Sequence, residues 1–131
     1  MATILIVDDE PMVQTLLKQY LEQHGYQVKT AGNGPEALAA VDRGAPDLVI
    51  LDLYMPGMNG IEVLRELREA RRYPGGVLVL TASRDEQLLG QALELGSVEV
   101  LTKPVDFDRL SLAIEVGLAV SGGGEASRRQ G

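Results

Sequence analysis

Leu48-Val49-Ile50-Leu51 runs without a polar interruption into a single carboxylate, Asp52, and the loop formers Pro56, Gly57, Asn59 and Gly60 follow close behind. A continuous aliphatic run bounded by turn signals reads as a central parallel strand covered on both faces. Asp52 then falls at the carboxyl end of that strand, where open α/β sheets bind their ligands.

The same grammar recurs along the chain. Thr3-Ile4-Leu5-Ile6-Val7 is a β-branched run ending on Asp8-Asp9-Glu10. Pro11 suits the first turn of a helix, where its missing N–H costs nothing. Val13, Leu16, Leu17, Tyr20 and Leu21 follow as an apolar helical stripe, closed by Gly25. Gln27–Ala31 is a second strand, Gly32-Asn33-Gly34 a turn, and Pro35–Asp42 a short helix stopped by Gly44 and Pro46. Gly60 opens a third helix bearing Ile61, Leu64 and Leu67. Val77–Leu80 is a fourth strand running into Thr81-Ala82-Ser83, and Asp85–Leu95 a fourth helix weakened by Gly90. Val98–Leu101 is the fifth strand, ending on Thr102-Lys103-Pro104, and Asp106–Val120 the last helix. Five alternations predict an α/β fold with a five-stranded parallel sheet and helices on both faces. Residues 1–120 form one domain; the small and polar residues 121–131 read as a flexible Gly-rich tail or the start of a linker.

Composition removes several kinds of function. A net charge of -7, with no basic patch interleaved with aromatics, argues against direct nucleic-acid binding. The absence of cysteine excludes disulfides, thiolate chemistry and Cys-based zinc sites. A single histidine, His24, rules out a His-rich metal site and reads as a helix-end residue without chemistry. No apolar run approaches the ~20 residues of a membrane span, and Met1-Ala2-Thr3 lacks the basic region of a secretion signal. A cytoplasmic protein without membrane contact is expected.

In a parallel sheet the residues that follow each strand share one edge. Asp8 and Asp9, Asp52, Thr81 and Lys103 therefore converge on one cleft. Carboxylates ~4 Å apart repel by about 4 kcal/mol per pair at an effective dielectric of ~20, so such a cluster needs a cation or raised pKa values. Oxygen ligands in a solvent-open site suit Mg²⁺, which favours sites shared with phosphate. Lys103 would serve as a point charge for phosphoryl oxygens. Thr81 and backbone N–H groups after strand four add hydrogen bonds. The constellation reads as magnesium-assisted phosphoryl transfer with a carboxylate acceptor.

Asp8-Asp9, Asp52 in Leu-Asp-Leu-Tyr-Met-Pro-Gly-Met-Asn-Gly, Thr81-Ala82 and Lys103-Pro104, in register at successive strand ends, resemble the receiver domain of bacterial two-component response regulators over residues 3 to about 120. The resemblance implies a CheY-like, flavodoxin-like fold. It implies that Asp52 takes a phosphoryl group from a phosphohistidine on a sensor histidine kinase or phosphotransfer protein. Asp9, Asp52 and the Tyr54 carbonyl would bind Mg²⁺, with Asp8 acting partly through water. Lys103 would pair with the phosphoryl group, Thr81 would move toward it and Ala82 N–H would donate to it. Tyr54 and Ser83 would flank the approach of attacking water. On this reading the chain is a signalling switch whose partner face is formed by the fourth helix, fifth strand and last helix, and not a turnover enzyme. Its output protein or output domain is absent from the sequence.

The sequence departs from that family at Val100, three positions before the lysine, where an aromatic that rotates inward is common. Valine is stiff at χ1 and has little volume to swing. A phosphorylation-independent interaction module is the alternative. A haloacid-dehalogenase-like phosphatase would need a carboxylate where Tyr54 stands, and the Gly32-Asn33-Gly34 turn lacks the third glycine of a dinucleotide loop. In the last helix Phe107, Leu110, Ile114 and Leu118 should face the sheet. Leu112, Val116 and Val120 make a second apolar stripe, which predicts a partner or a homodimer on helix five.

Overall fold

In the computed structural model five parallel strands form one sheet in the order β2-β1-β3-β4-β5. The structure describes residues 1–119, Ser83 and Val98 excepted, together with the backbone of 120–129. The strands are β1 (Thr3–Val7), β2 (Gln27–Ala31), β3 (Leu48–Leu51), β4 (Gly76–Thr81) and β5 (Glu99–Thr102). Between and after them lie α1 (Pro11–Gln23), α2 (Gly34–Arg43), α3 (Gly60–Arg65), α4 (Glu86–Glu94) and α5 (Phe107–Arg129). The tail expected over 121–131 and the first residue expected of strand five, Val98, fall outside the residues whose side chains are described. Among the described residues no helix is long and apolar enough to cross a membrane.

The central strands are apolar at every position because both of their faces are covered. Leu5, Val7, Val49, Leu51, Val77 and Val79 point to one face and pack with Ala37, Leu38 and Val41 of α2, Ile61 and Leu64 of α3, and Ala92 of α4. Ile4, Ile6, Leu48, Ile50, Leu78 and Leu80 point to the other, against Leu17 and Leu21 of α1 and Leu110, Ala113 and Ile114 of α5. Each such side chain removed from water stabilises the fold by roughly 1.5–3 kcal/mol. β2 lies at one edge of the sheet and is largely exposed, which explains its more polar sequence.

Two helices differ from the expected pattern. Leu16 of α1 stands 47% exposed, beside the exposed Met12, while Gln14 turns inward and its amide nitrogen donates to the Asp8 carbonyl. α3 is cut short at Arg65 and continues as a π-helical turn over Glu66–Ala70, closed by Arg71 N–H donating to the Glu66 carbonyl. That wider turn keeps Leu67 buried and carries Arg68 across the lower edge of the sheet, where its guanidinium donates to the carbonyls of Tyr73, Gly75, Leu95 and Gly96. In α5, Leu110 and Ile114 are buried as expected, whereas Leu112 and Val116 stand 64% and 44% exposed.

The order in which strands are added reverses between β1 and β3: β2 lies on one side of β1, and β3, β4 and β5 lie on the other. This is the switch point at which open α/β sheets open a crevice at the strands' carboxyl ends. Register fixes what flanks it, since Val7 pairs with Leu51 and Thr81 with Thr102. The loop after β3 closes on Gly60, whose N–H donates to the Leu53 carbonyl at 2.9 Å. A Cβ on Gly60 would lie 2.3 Å from the Asp52 carbonyl oxygen and 2.6 Å from Leu53 Cα, both immovable backbone atoms. Gly60→Ala should therefore cost about 2–3 kcal/mol in urea denaturation. Gly90→Ala in α4, where nothing lies within 4 Å of the added carbon, should instead gain up to ~1 kcal/mol from helix propensity.

Candidate functional site

Three of the strand ends bring charge together at the crevice. Asp8, just after β1, is 2% exposed, and Asp52, just after β3, is 5% exposed. Lys103, just after β5, reaches back between them. Its Nζ lies 2.9 Å from Asp8 Oδ2, 2.9 Å from Glu10 Oε1 and 3.3 Å from Asp52 Oδ2. Lys103 N–H donates to the Thr81 carbonyl at 2.8 Å, which ties the lysine's backbone to the end of β4; the Lys103–Pro104 peptide is cis. The remaining oxygens are partly occupied by main-chain donors: Glu10 N–H to Asp8 Oδ1 at 2.9 Å, and Tyr54 N–H to Asp52 Oδ1 at 3.2 Å.

Electrostatically the lysine is outnumbered. Burial works against its charge, yet hydrogen bonds to Glu10 and Asp8 and the field of Asp52 outweigh that, and the pKa of the ammonium rises. For Asp8 the balance runs the other way. Burial pushes its carboxyl above the ordinary 3.8; the Glu10 N–H and Lys103 pull down, and the charge of Asp52 pushes up again. The two directions are compatible, because the lysine draws on several carboxylates while Asp8 receives only a share of one ammonium.

Of the residues expected here, Asp8, Asp52 and Lys103 are in mutual contact, and Thr81 is fully buried beside them at the end of β4. Ala82 and Tyr54 are exposed at the rim, Tyr54 at 57%. Ser83 lies outside the described residues. Asp9, expected to be the principal metal ligand of the pair, is exposed and does not join the carboxylates that converge. The third acid that converges is Glu10: oxygens of Asp8, Glu10 and Asp52 all lie within 4.8 Å of one another. The sequence carried that residue in plain view as the third acid of the Asp8-Asp9-Glu10 run, but nothing in the run said which way each side chain turns.

Whether a divalent cation suits these residues follows from the donors. Three carboxylates facing one ammonium leave a net charge of about -2, and all the donors are hard oxygens. Such a set fits Mg²⁺ and fits poorly the softer metals that prefer sulfur or imidazole.

Comparison with known proteins adds the following. The family model for the response regulator receiver domain matches residues 4–115. The chain is 45% identical over 104 residues to the alkaline phosphatase synthesis transcriptional regulatory protein PhoP of Bacillus subtilis, covering 77% of this chain and 42% of that protein. It is 37% identical over 112 residues to sporulation initiation phosphotransferase F of the same organism, covering 86% of this chain and 90% of that one. Among solved structures, the Vibrio cholerae chemotaxis protein CheY4 superposes with a TM-score of 0.83 at 30% identity, over 90% of this chain and 99% of that one. The Thermotoga maritima response regulator TrrA, in complex with Mg²⁺ and beryllofluoride, superposes with a TM-score of 0.79 at 38% identity, over 88% and 97%. The chain spans about half the length of many of the curated regulators it matches.

A raised Asp8 pKa has a fixed consequence for stability. Ionising Asp8 is harder in the folded chain than in the unfolded one, so folding free energy is lost as pH rises from 3.8 through the raised value. In chelator, wild type and Asp8→Asn should be equally stable at pH 3.5, and the variant should be the more stable above pH 6. Thermal melts at the two pH values check this. Equal melting temperatures at both would mean that Lys103 fully compensates the buried carboxylate.

Proposed function

The chain belongs to the response regulator receiver family, and from that premise we propose that Asp52 accepts a phosphoryl group from a phosphohistidine on a sensor histidine kinase or phosphotransfer protein. The observation that carries this reading is the buried Asp52 carboxylate with Lys103 Nζ 3.3 Å from its Oδ2. An oxygen of Asp52 attacks phosphorus as the P–N bond breaks, and the electron pair returns to the imidazole nitrogen. Lys103 is a point charge that can pass from carboxylates to the new phosphoryl oxygens. Thr81, fully buried at the end of β4, supplies a hydroxyl, and Ala82 an N–H, once the β4–α4 loop draws in. Asp8 and Asp52 would hold Mg²⁺, with Asp9 and the Tyr54 carbonyl completing the set when Asp9 turns inward. The ion supplies neutralisation of charge on the phosphoryl oxygens. Hydrolysis by water returns the Asp52 carboxylate and inorganic phosphate, with Tyr54 flanking the approach.

So read, the chain is a switch and not a turnover enzyme. Its output is a change in partner binding on the α4-β5-α5 face, where Leu93, Leu112 and Val116 are exposed. Val100 of β5 is half-buried and packs with the α2-α3-α4 side of the core, so the change passes through the β4–α4 loop and α4 without an aromatic swing. The partner is an output protein or output domain, and the same exposed face would serve a homodimer. A cytoplasmic location follows from the kinase partner.

Intact mass after incubation with acetyl phosphate and Mg²⁺ tests the reading. Wild type should gain one phosphoryl group, and Asp52→Ala and a chelated sample should gain none. If wild type gains none from acetyl phosphate or from a phosphohistidine donor, with beryllofluoride also failing to bind, the chain is a phosphorylation-independent interaction module.

A further inference from the structure

Glu10 is the N-cap residue of α1, with extended backbone (φ -94°, ψ 114°). A carboxylate at that position ordinarily accepts from the free amides of the first turn and meets the positive end of the helix dipole. Here it makes no capping bond, and the first turn of α1 holds no other acid. The other four helices are served from their own caps. Asn33, Asn59 and Asp85 accept from the first turns of α2, α3 and α4, and Asp106 accepts from Asp108 and Arg109 N–H at the start of α5. Glu10 instead sends its carboxylate to Lys103 Nζ, 2.9 Å away.

An ammonium has three N–H donors. Asp8, Glu10 and Asp52 occupy all three. The partners are not alike: the side chains of Asp8 and Asp52 are 3% and 6% exposed, while that of Glu10 is 59% exposed. A phosphoryl group that takes Lys103 has to displace a carboxylate, and Glu10 is the one with water to turn into.

We propose that Glu10 is a positioning residue that holds Lys103 in the resting site and competes with the phosphoryl group for its ammonium. The inference rests on the reading of Asp52 as phosphoacceptor. It assigns to Glu10 a part in setting how readily the switch closes, distinct from coordinating the metal ion. Shortening Glu10 by one methylene withdraws the carboxylate from Lys103, keeps the negative charge and gives α1 a residue well suited to capping.

The test is a ¹⁹F NMR titration of the full chain with beryllofluoride, a phosphoryl mimic, at saturating Mg²⁺. Wild type, Glu10→Gln and Glu10→Asp are compared, with Mg²⁺ affinity measured separately for each. Both variants should bind beryllofluoride about three- to tenfold tighter, as expected for releasing one partly exposed charge-assisted hydrogen bond. Glu10→Asp should keep Mg²⁺ affinity within about twofold of wild type, since its charge is unchanged. Beryllofluoride affinity unchanged in both variants would overturn the inference. So would a fall of about tenfold or more in the Mg²⁺ affinity of Glu10→Asp, which would make Glu10 a metal ligand. Wild type that binds no beryllofluoride removes the phosphoacceptor reading and this inference together; wild type that binds, with unchanged variants, removes this inference alone.

Discussion

One ammonium set among three carboxylates is the contact on which the site depends. Without Lys103, oxygens of Asp8, Glu10 and Asp52 within 4.8 Å of one another would repel with no cation between them, by about 4 kcal/mol per pair at ~4 Å and an effective dielectric of ~20. With Lys103 in place the cluster is tolerable but still anionic. The two apolar layers hold it there. β1 and β3 are hydrogen-bonded neighbours in a sheet covered on both sides, so Asp8 and Asp52 cannot drift apart into water without breaking that packing. Hydrophobic burial far from the site thus maintains an electrostatic arrangement that the charges alone would disperse.

The arrangement also explains why the site is receptive. A cluster left anionic and buried gains from any added positive charge, and its lysine gains from any added anion that can replace a shared carboxylate. The proposed phosphoryl chemistry would supply both demands at one place, a metal ion and a phosphoryl dianion. Asp9, exposed beside the cluster, is available to join it, and Glu10, exposed but engaged, is available to leave. The loop after β1 therefore carries one carboxylate outside the cluster and one exposed carboxylate within it, on adjacent residues.

Where the sequence was readable and where it was not follows from the kind of interaction involved. β3 and β4 were legible because a strand covered on both sides admits only apolar residues, and all of Leu48–Leu51 is buried. The charged ends were legible because a parallel sheet puts successive carboxyl ends on one edge, whatever the details. The π-helical turn was not, since Leu67 keeps its core position in either winding and periodicity cannot register one extra residue per turn. Leu16 of the expected stripe is exposed and Gln14 turns inward, where its amide donates to the Asp8 carbonyl, a tertiary contact with no local signature. Glu10 escaped for the same reason: three consecutive acids have one composition and many ways of pointing.

The two cations that cross the sheet's edges show what the choice of side chain accomplishes. At the lower edge Arg68 spreads a rigid planar fork over four carbonyls and lies 5.9 Å from the centre of the Tyr73 ring. Burial lowers its pKa, yet a guanidinium stays charged under any ordinary condition. Its partners are neutral dipoles fixed in the backbone, and two of them, Leu95 and Gly96, follow the last turn of α4, whose dipole welcomes a cation. Such a site has no reason to rearrange. At the upper edge the cation is a lysine, a point charge on a flexible stem with three independent donors, and its partners are anions that compete for it. A planar fork there would lock two oxygens and forbid exchange. The fold places the rigid cation where α4 is anchored and the mobile one among the carboxylates that compete for it.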